Sequence, residues 1–549
     1  MDQTATRKDP SPIAVAVALA LLLFGGFVYF PGHTYLHSDT QIYLPILDRL
    51  ADPTLYRNDP VALRPHVSYT IYDESALLLR HLTGLDFQFV LQLQQLVFRF
   101  AGLAGAYWFG RACGLVAPWA VLLASFFGLG ATINGPAVLL VEYEPVPRGF
   151  ALPLLMLGIG LVAHERWLAA GCAVAVAVLY HPPTALPVLV VGALSLWLTR
   201  KPGDGRWLAG LPVAAAIAAV YLLSKLQSGI SEPQQLFSAI SPALEELQRR
   251  RGAYNFISIW FWRLASHWLF IFAVAIGAWW HVRSLVPRLV STLVFGFIAF
   301  AALTMPLSYI LLEKAKWSLL PQLQPMRALL FVTMFAMLGA ALNGIRQARA
   351  GSKWAPVAWF TVAFGLSSQV MLAGLPWLAL TDPLMRARLL VFLVLAAVTF
   401  AAIRWSKPLL IVALTLPFYL IPQVGQVRNY PALDHPEIHA LSDWARSHSG
   451  TDAVFQFPDA GKALYPGLFR VYSHRAVYVD WKVGGQVNLL EEFAGEWWLR
   501  WQAAGAPQVI DAQKLAGLGI DFLVLQPEHA IAGRGPDYRN AKYLVYKLR

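Results

Sequence analysis

Two cysteines, Cys113 and Cys172, are all that the 549 residues contain, and both sit in apolar stretches. That excludes a disulfide framework and offers no thiolate spacing for a structural metal. Charge is equally scarce, with 13% of residues Asp, Glu, Lys or Arg where a soluble domain carries about 25%. No Walker-type Gly-rich loop occurs, so the chain has no motif for driving transport with ATP. The Gly-x-Ser-x-Gly elbow and the His-Glu-x-x-His helix are missing too, which removes two common hydrolase signatures. Ionisable residues are nearly absent from the centres of the apolar blocks, where ion-coupled transporters usually hold them.

Apolar residues make up 57% of the chain. They fall in blocks near 12–30, 88–109, 117–134, 148–163, 168–181, 184–199, 207–223, 264–281, 289–311, 328–344, 355–380, 387–404 and 408–425. A helix of about 20 apolar residues crosses a hydrocarbon core, so these thirteen blocks are candidate transmembrane helices, 168–181 being the shortest in that role. Twenty tryptophans and 36 prolines suit a bundle with aromatic interfacial anchors.

The net charge of +12 comes from Lys and Arg recurring in short connections, the positive-inside pattern of a membrane protein rather than a nucleic-acid surface. With Arg7 and Lys8 before the first block, the N-terminus is expected in the cytoplasm. Alternate connections then hold Arg111, Arg166, Arg200, Lys201, Arg206, Arg283, Arg288, Arg346, Arg349, Lys353, Arg404 and Lys407, with only Glu165 and Asp204 against them. The other connections, 31–87, 135–147, 224–263 and 312–327, fall outside. No small-residue cleavage site follows the first block, so it is expected to be retained.

Beyond residue 426 charged residues become frequent and long apolar runs stop. Residues 436–448 and 488–501 pattern as helices, and 453–457, 476–479, 521–525 and 543–546 as strands. The expected fold is a polytopic α-helical membrane protein of about 13 transmembrane helices over 1–426, with a small extracytoplasmic α/β soluble domain over 427–549.

Four features of the outer connections could carry chemistry. Asp39, a few residues past the first block, is either a helix N-cap or a general base toward a hydroxyl. The stretch Glu142-Tyr143-Glu144-Pro145-Val146-Pro147-Arg148 sets two carboxylates and an arginine beside stiffening prolines. Arg148 opens a helix and could grip phosphate, or the charges could form an internal ion pair. His181, in the turn Tyr180-His181-Pro182-Pro183-Thr184, is either a structural cap or a metal or phosphate ligand. Lys314, Lys316 and Arg327 place positive charge outside, against the prevailing bias, where a lipid-linked phosphate or anionic headgroups would meet them. In the C-terminal segment, Asp480, Trp481, Lys482 and Trp497 could form a carbohydrate platform, or the tryptophans could fill a core or anchor the segment to the bilayer.

This layout resembles the membrane glycosyltransferases of the GT-C superfamily, with an acidic residue in the first outer loop (Asp39) and an acidic cluster in the next (Glu142, Glu144). The Glu-Tyr-Glu-Pro-Val-Pro-Arg, His-Pro-Pro-Thr and Gln-Pro-Met-Arg segments resemble a poorly characterised bacterial branch, as does the C-terminal stretch from Phe469 to Arg500. The resemblance implies a polyprenyl-phosphate-linked sugar as donor, a glycan, lipid or protein as acceptor, and a bacterial inner membrane as location. By it, Asp39 deprotonates the acceptor with inversion at the anomeric carbon, and Arg148, Lys314 or Lys316, and Arg327 neutralise the leaving phosphate. Glu142 or Glu144, with His181, then orients the acceptor or completes a divalent site for Mg or Mn. The first loop has a single Asp and not an adjacent acidic pair, a departure that bears on that metal. Two other classes fit parts of the pattern: a flippase or transporter of lipid-linked substrates, and a non-catalytic scaffold for envelope assembly.

Overall fold

Every apolar block holds a helix. The computed structural model describes residues 10–64, 70–227, 237–367, 375–406, 408–424, 433–488, 491–505 and 510–549. In these, the blocks become Pro12–Val28, Phe87–Ala112, Ala117–Leu129, Pro147–Val162, Trp167–Tyr180, Pro182–Leu198, Trp207–Gln227, Ile257–Val282, Arg288–Ser308, Ala328–Arg349, Ala355–Leu366, Pro383–Arg404 and Pro408–Val424. The block expected at 355–380 holds a second helix, Leu375–Thr381, and 368–374 lie outside the described residues. Six helices are long and apolar enough to cross a membrane: Phe87–Ala112, Trp207–Leu226, Ile257–Val282, Arg288–Lys314, Leu320–Arg349 and Pro383–Arg404. Seven more are apolar but only 10–17 residues long. The chain is a multi-pass membrane protein.

Burial sorts these helices. Ala328–Arg349 is buried on nearly every side, with Phe331 stacked on Phe297 at 4.8 Å and the Trp279 indole donating to the Phe335 carbonyl at 2.8 Å. It is hydrophobic all round because it is the centre of the bundle. Trp207–Leu226 is the opposite, 11% buried across its apolar window, as a helix facing lipid would be. Phe87–Ala112 and Pro147–Val162 approach so closely that a Cβ on Gly160 would lie 2.4 Å from the Gly105 carbonyl oxygen. Small residues permit such contact between membrane helices. Exposed tryptophans Trp197, Trp207, Trp280, Trp354 and Trp405 sit near helix ends, each within three residues of an Arg or Lys, an interfacial arrangement.

Within the first long connection, Thr40–Ala51 and Tyr72–Thr83 are helices, each burying one face. A short antiparallel pair, β1 (Thr132–Ile133) and β2 (Val138–Leu139), precedes the Glu142 loop. The C-terminal segment carries a five-stranded mixed sheet: β3 (Val454–Gln456), β4 (Ala476–Val477), β5 (Phe522–Leu525), β6 (Tyr538–Arg539) and β7 (Leu544–Lys547), in the order β4-β3-β5-β7-β6. The first three are parallel and the last two antiparallel. Helices Pro436–His448, Tyr465–Ser473 and Glu491–Arg500 accompany it. The strands expected near 453, 476, 521 and 543 are all present, whereas the helix expected over 488–501 is shorter, following a 3-10 turn at Val483–Asn488. The boundary expected after residue 426 lies outside the described residues.

The segment is tied to the first connection by a buried ionic triad. Arg470 Nε meets Asp59 Oδ2 at 2.7 Å and its Nη2 meets Asp480 Oδ2 at 2.5 Å, all three side chains 0–2% exposed. Asp59 also accepts from the backbone N–H groups of Val61, Ala62 and Val477, and Asp480 from that of Val483. Charges this deep persist only when paired and hydrogen-bonded.

Candidate active site

The site grows from the start of the Pro147–Val162 helix. Pro147 at its first turn presets φ, and Arg148 follows it. A Cβ on Gly149 would lie 2.8 Å from Glu142 Cβ, so glycine there lets the Glu142 loop pack against the helix. Beneath that loop, Gln95 and Arg99 of the Phe87–Ala112 helix donate to the carbonyls of Glu142 and Tyr143 at 2.5–3.1 Å. The loop is pinned by its backbone, which leaves its carboxylates free to work sideways.

Arg148 links two carboxylates. Its Nε and Nη2 reach Glu142 at 2.6 and 3.2 Å in a forked pair, and its Nη1 reaches Asp39 Oδ2 at 2.6 Å. The other oxygen of Asp39 receives Lys482 Nζ at 2.5 Å, and that ammonium also donates to Ser38 Oγ at 2.7 Å. Asp39 occupies the N-cap position of Thr40–Ala51 but makes no capping bond. Its side chain turns instead to the two cations. Burial alone would raise the Asp39 carboxyl, yet Lys482 and Arg148 outweigh it and hold the group well below the usual carboxylate range.

Glu144 has a different task. Its Oε1 accepts from His37 N, Ser38 N and Thr40 Oγ1 at 2.6–2.8 Å and its Oε2 from Thr40 N at 3.2 Å. Burial, with the nearby Asp39 charge, pushes its pKa up despite these donors. Glu144 is the clamp that shapes the turn presenting Asp39.

A second cationic corner faces this one. Arg327, buried at the start of the central helix, donates to Gln324 Oε1 at 2.5 Å and Thr184 Oγ1 at 3.2 Å. Its Nη1 lies 3.3 Å from His181 Nε2. His181 caps the Pro182–Leu198 helix, its Nδ1 accepting from Thr184 N at 3.1 Å. With that bond kept, the imidazole proton lies on Nε2, and Arg327 and His181 meet donor to donor. An anionic oxygen between them would accept from both. No carboxylate pairs with Arg327 among the described residues.

Asp39, Arg148, His181, Arg327 and Lys482 line one cavity of about 580 Å³. Val220 of the exposed Trp207–Gln227 helix, Leu319 and Leu323 add apolar lining. Of the expected site residues, Glu142 reaches the cavity through Arg148 and Glu144 through the backbone of 37–40. The others are elsewhere. Lys316 pairs with Glu245 at 2.9 Å and Lys314 lies 5.2 Å from the Tyr309 ring; the turn after the Arg288–Ser308 helix carries them away from the cavity. The carbohydrate platform is not formed either. Asp480 belongs to the buried triad, Trp497 is 1% exposed with its indole donating to the Asp480 carbonyl, and Trp481 is occupied by Arg251 at 4.4 Å and Lys462 at 4.7 Å. Only Lys482 of that group enters the cavity, as a partner of Asp39.

The carboxylates present do not fit a divalent cation. Asp39 is held by two cations, Glu142 is forked to Arg148, and Glu144 is filled by four donors. No group of three or more His, Cys, Asp or Glu gathers as metal ligands among the described residues, and Mg²⁺ or Mn²⁺ would need several oxygens free of such partners.

Sequence reasoning missed Arg251, Tyr254, Gln486 and Asn488, which form a further wall of the cavity. Arg251 ends a run of three arginines that looks like a solvated helix end, and amide side chains give no pattern. The aromatic-rich stretch after Asp480 was the only pointer toward this wall.

No curated protein matches the sequence. A domain of unknown function (DUF6798) matches residues 436–504. The structure of ArnT from Cupriavidus metallidurans in the apo state superposes with a TM-score of 0.50 at 13% identity, over 98% of this chain and 98% of that one. ArnT is a member of the GT-C superfamily. The chain has the GT-C fold. Two further solved structures are similar at lower scores. Arabinofuranosyltransferase AftD from Mycobacteria has 16% identity over 97% of this chain and 36% of that one, with a TM-score of 0.44. Oligosaccharyltransferase AglB from Archaeoglobus fulgidus, in complex with an inhibitory peptide and a dolichol-phosphate, has 12% identity over 94% and 69%, with a TM-score of 0.40.

Proposed function

We propose that this GT-C-fold chain transfers a sugar, with inversion, from a polyprenyl-phosphate donor to an envelope glycan, lipid or protein at the outer face of the bacterial inner membrane. The observation that carries the reading is the convergence on one cavity of a carboxylate, Asp39, with two cationic corners drawn from distant parts of the chain. In this topology all thirteen apolar helices span the bilayer, the N-terminus is cytoplasmic, and the cavity and the C-terminal segment lie outside. The Lys and Arg residues gathered in alternate short connections support that orientation.

The donor phosphate enters between Arg327 and His181, where two N–H groups point at the same place. Arg148 and Lys482 lie across the cavity and share the remaining charge. As the phosphate draws these cations, Asp39 loses the partners that depress it and becomes a better base. The acceptor O–H gives its proton to Asp39 while its oxygen bonds to the anomeric carbon. The bond from that carbon to the phosphate oxygen breaks, and polyprenyl phosphate leaves with the electron pair. Stabilising the departing phosphate is the largest contribution, because Arg327 and His181 already stand at its place before reaction. Glu142 orients Arg148, and Glu144 orients the Asp39 turn.

Asp39→Asn is the decisive variant. It should lower turnover by about 10²–10⁴-fold and leave polyprenyl-phosphate binding intact, measured as release of polyprenyl phosphate from a sugar-loaded donor by purified protein in nanodiscs. Turnover within a few-fold of wild type would overturn the reading and favour a transporter or scaffold.

A further inference from the structure

The two sides of the cavity differ in hydrogen-bonding character. The side built by Arg148, Lys482, Arg327 and His181 presents donors to a ligand. A further wall, from the end of the Pro242–Arg251 helix and the Val483–Asn488 turn, mixes donors and acceptors. Gln486 is 6% exposed and Asn488 4%, and the Gln486 Oε1 and Asn488 Oδ1 atoms have no partner. Arg251 Nε is likewise buried and unpartnered. Asn488 Nδ2 donates to the Tyr254 hydroxyl at 3.0 Å, which leaves that O–H free to donate onward. All four side chains line the cavity.

Leaving several buried polar atoms unpaired in one wall is unfavourable, and a ligand toward which these side chains turn would complete them. Their mixture selects the ligand's chemistry. Phosphate has only acceptors and cannot satisfy an amide oxygen. A sugar hydroxyl donates and accepts at once, so a ring bearing several hydroxyls can donate to Gln486 and Asn488 and accept from Arg251 and Tyr254. No carboxylate lines the wall to meet an ammonium.

The wall is also held rigidly. The Gln248 amide donates to the Val487 carbonyl at 3.2 Å, and Arg251 Nη2 to the Lys482 carbonyl at 3.3 Å. A Cβ on Gly252 would lie 2.7 Å from the Asn488 amide, so a larger residue there would displace it.

We infer that Arg251, Tyr254, Gln486 and Asn488 form a subsite for a neutral, hydroxyl-bearing sugar ring, in the same cavity as the phosphate corner. The inference rests on the proposed glycosyl transfer and adds the class of sugar and the residues that recognise it. The ring belongs either to the donor or to a glycan acceptor, and the hydrogen-bonding chemistry is the same for both.

The test uses the full chain in nanodiscs and measures binding of decaprenyl phosphate, of its glucosyl, galactosyl, mannosyl, arabinosyl and glucuronosyl derivatives, and of the corresponding free methyl glycosides. The variants are Gln486→Ala, whose amide makes no hydrogen bond among the described residues, and Gln486→Ala with Asn488→Ala, each checked for an unchanged melting temperature. If the double variant does not fold, the single one carries the test. At least one neutral sugar should bind wild type at least tenfold tighter than its sugar-free counterpart, and the variants should erase that gain while decaprenyl phosphate binds as before. Erasure among the lipid-linked sugars assigns the subsite to the donor, and erasure among the methyl glycosides alone assigns it to the acceptor. A gain that survives the variants, a gain for the glucuronosyl derivative alone, or no gain for any neutral sugar overturns the inference. Failure of wild type to bind decaprenyl phosphate at all would instead sink the glycosyl-transfer reading.

Discussion

Asp39 and Asp59 lie 20 positions apart in the same connection, and each is ion-paired to the C-terminal segment, yet they do opposite things. Asp59 is fully buried against Arg470, with Asp480 on the far side of that guanidinium. Asp39 is 24% exposed on its side chain and pairs directly with Lys482 and Arg148 in the lining of a cavity. One junction is sealed and fixes the docking of two parts of the chain. The other is open, and its cations can be drawn away by an anion. The same residue types thus make a lock or a working site according to what a ligand can reach.

Breaking the lock should have the largest effect. Arg470→Ala strands Asp59 and Asp480 without a cation, and should destabilise the docked segment by about 3–5 kcal/mol, read as early protease cleavage of the C-terminal region and a lower melting temperature. Lys482→Met should leave the fold intact and weaken decaprenyl-phosphate binding by roughly tenfold, the worth of one charge-assisted hydrogen bond. It should also move the acid limb of activity to higher pH. Asp39 is depressed in the fold by Lys482 and Arg148, so it stays ionised until the pH falls far below the usual carboxylate range, and removing one cation lets it protonate sooner. An unmoved acid limb would separate Lys482 from Asp39.

A third carboxylate of the same connection sharpens the contrast. Burial, helped by Glu74, lifts Asp73 to about 7, and its Oδ1 has no hydrogen-bond partner among the described residues. Its folded pKa is above the unfolded one, so the folded chain holds a proton that the unfolded chain releases. Stability should therefore fall as pH rises from the usual carboxylate range through about 7, and Asp73→Asn should flatten that slope in thermal melts. Lys316→Ala should matter least: its pair with Glu245 is exposed, and such pairs contribute about 0–1 kcal/mol, with decaprenyl-phosphate binding unchanged.

Much of the helical layer could be read from the sequence because apolar runs of this length have few alternative folds. The strands were legible for a similar reason: short β-branched and aromatic runs such as Phe522–Leu525 stand out once charged residues surround them. Asp39, Arg148, His181 and Arg327 drew notice because each is charged or titratable beside an apolar helix end. Their distances could not be read, since they depend on how Gln95 and Arg99 pin the Glu142 loop and how Gly149 lets it close. Lys314 and Lys316 were misplaced because charge against the topology bias says which side a residue is on, not which way its turn faces. Lys482 was grouped with the tryptophans beside it in sequence, whereas Asp480 two residues earlier anchors the turn and sends only the ammonium into the cavity. The Arg249-Arg250-Arg251 run shows the same limit. Arg249 and Arg250 pair with Glu245 and Glu246, and only Arg251 turns toward Trp481 and the cavity.

Lys482 meets Asp39 across 443 positions of chain. A ribosome adds about 5–20 residues each second, so the acidic end of this pair emerges well before its ammonium exists. Until then a nascent chain has the carboxylate, the arginine and the helices around them, but the pocket is missing a wall. The cavity is therefore completed only once the segment carrying Lys482 has been made and has reached the first connection.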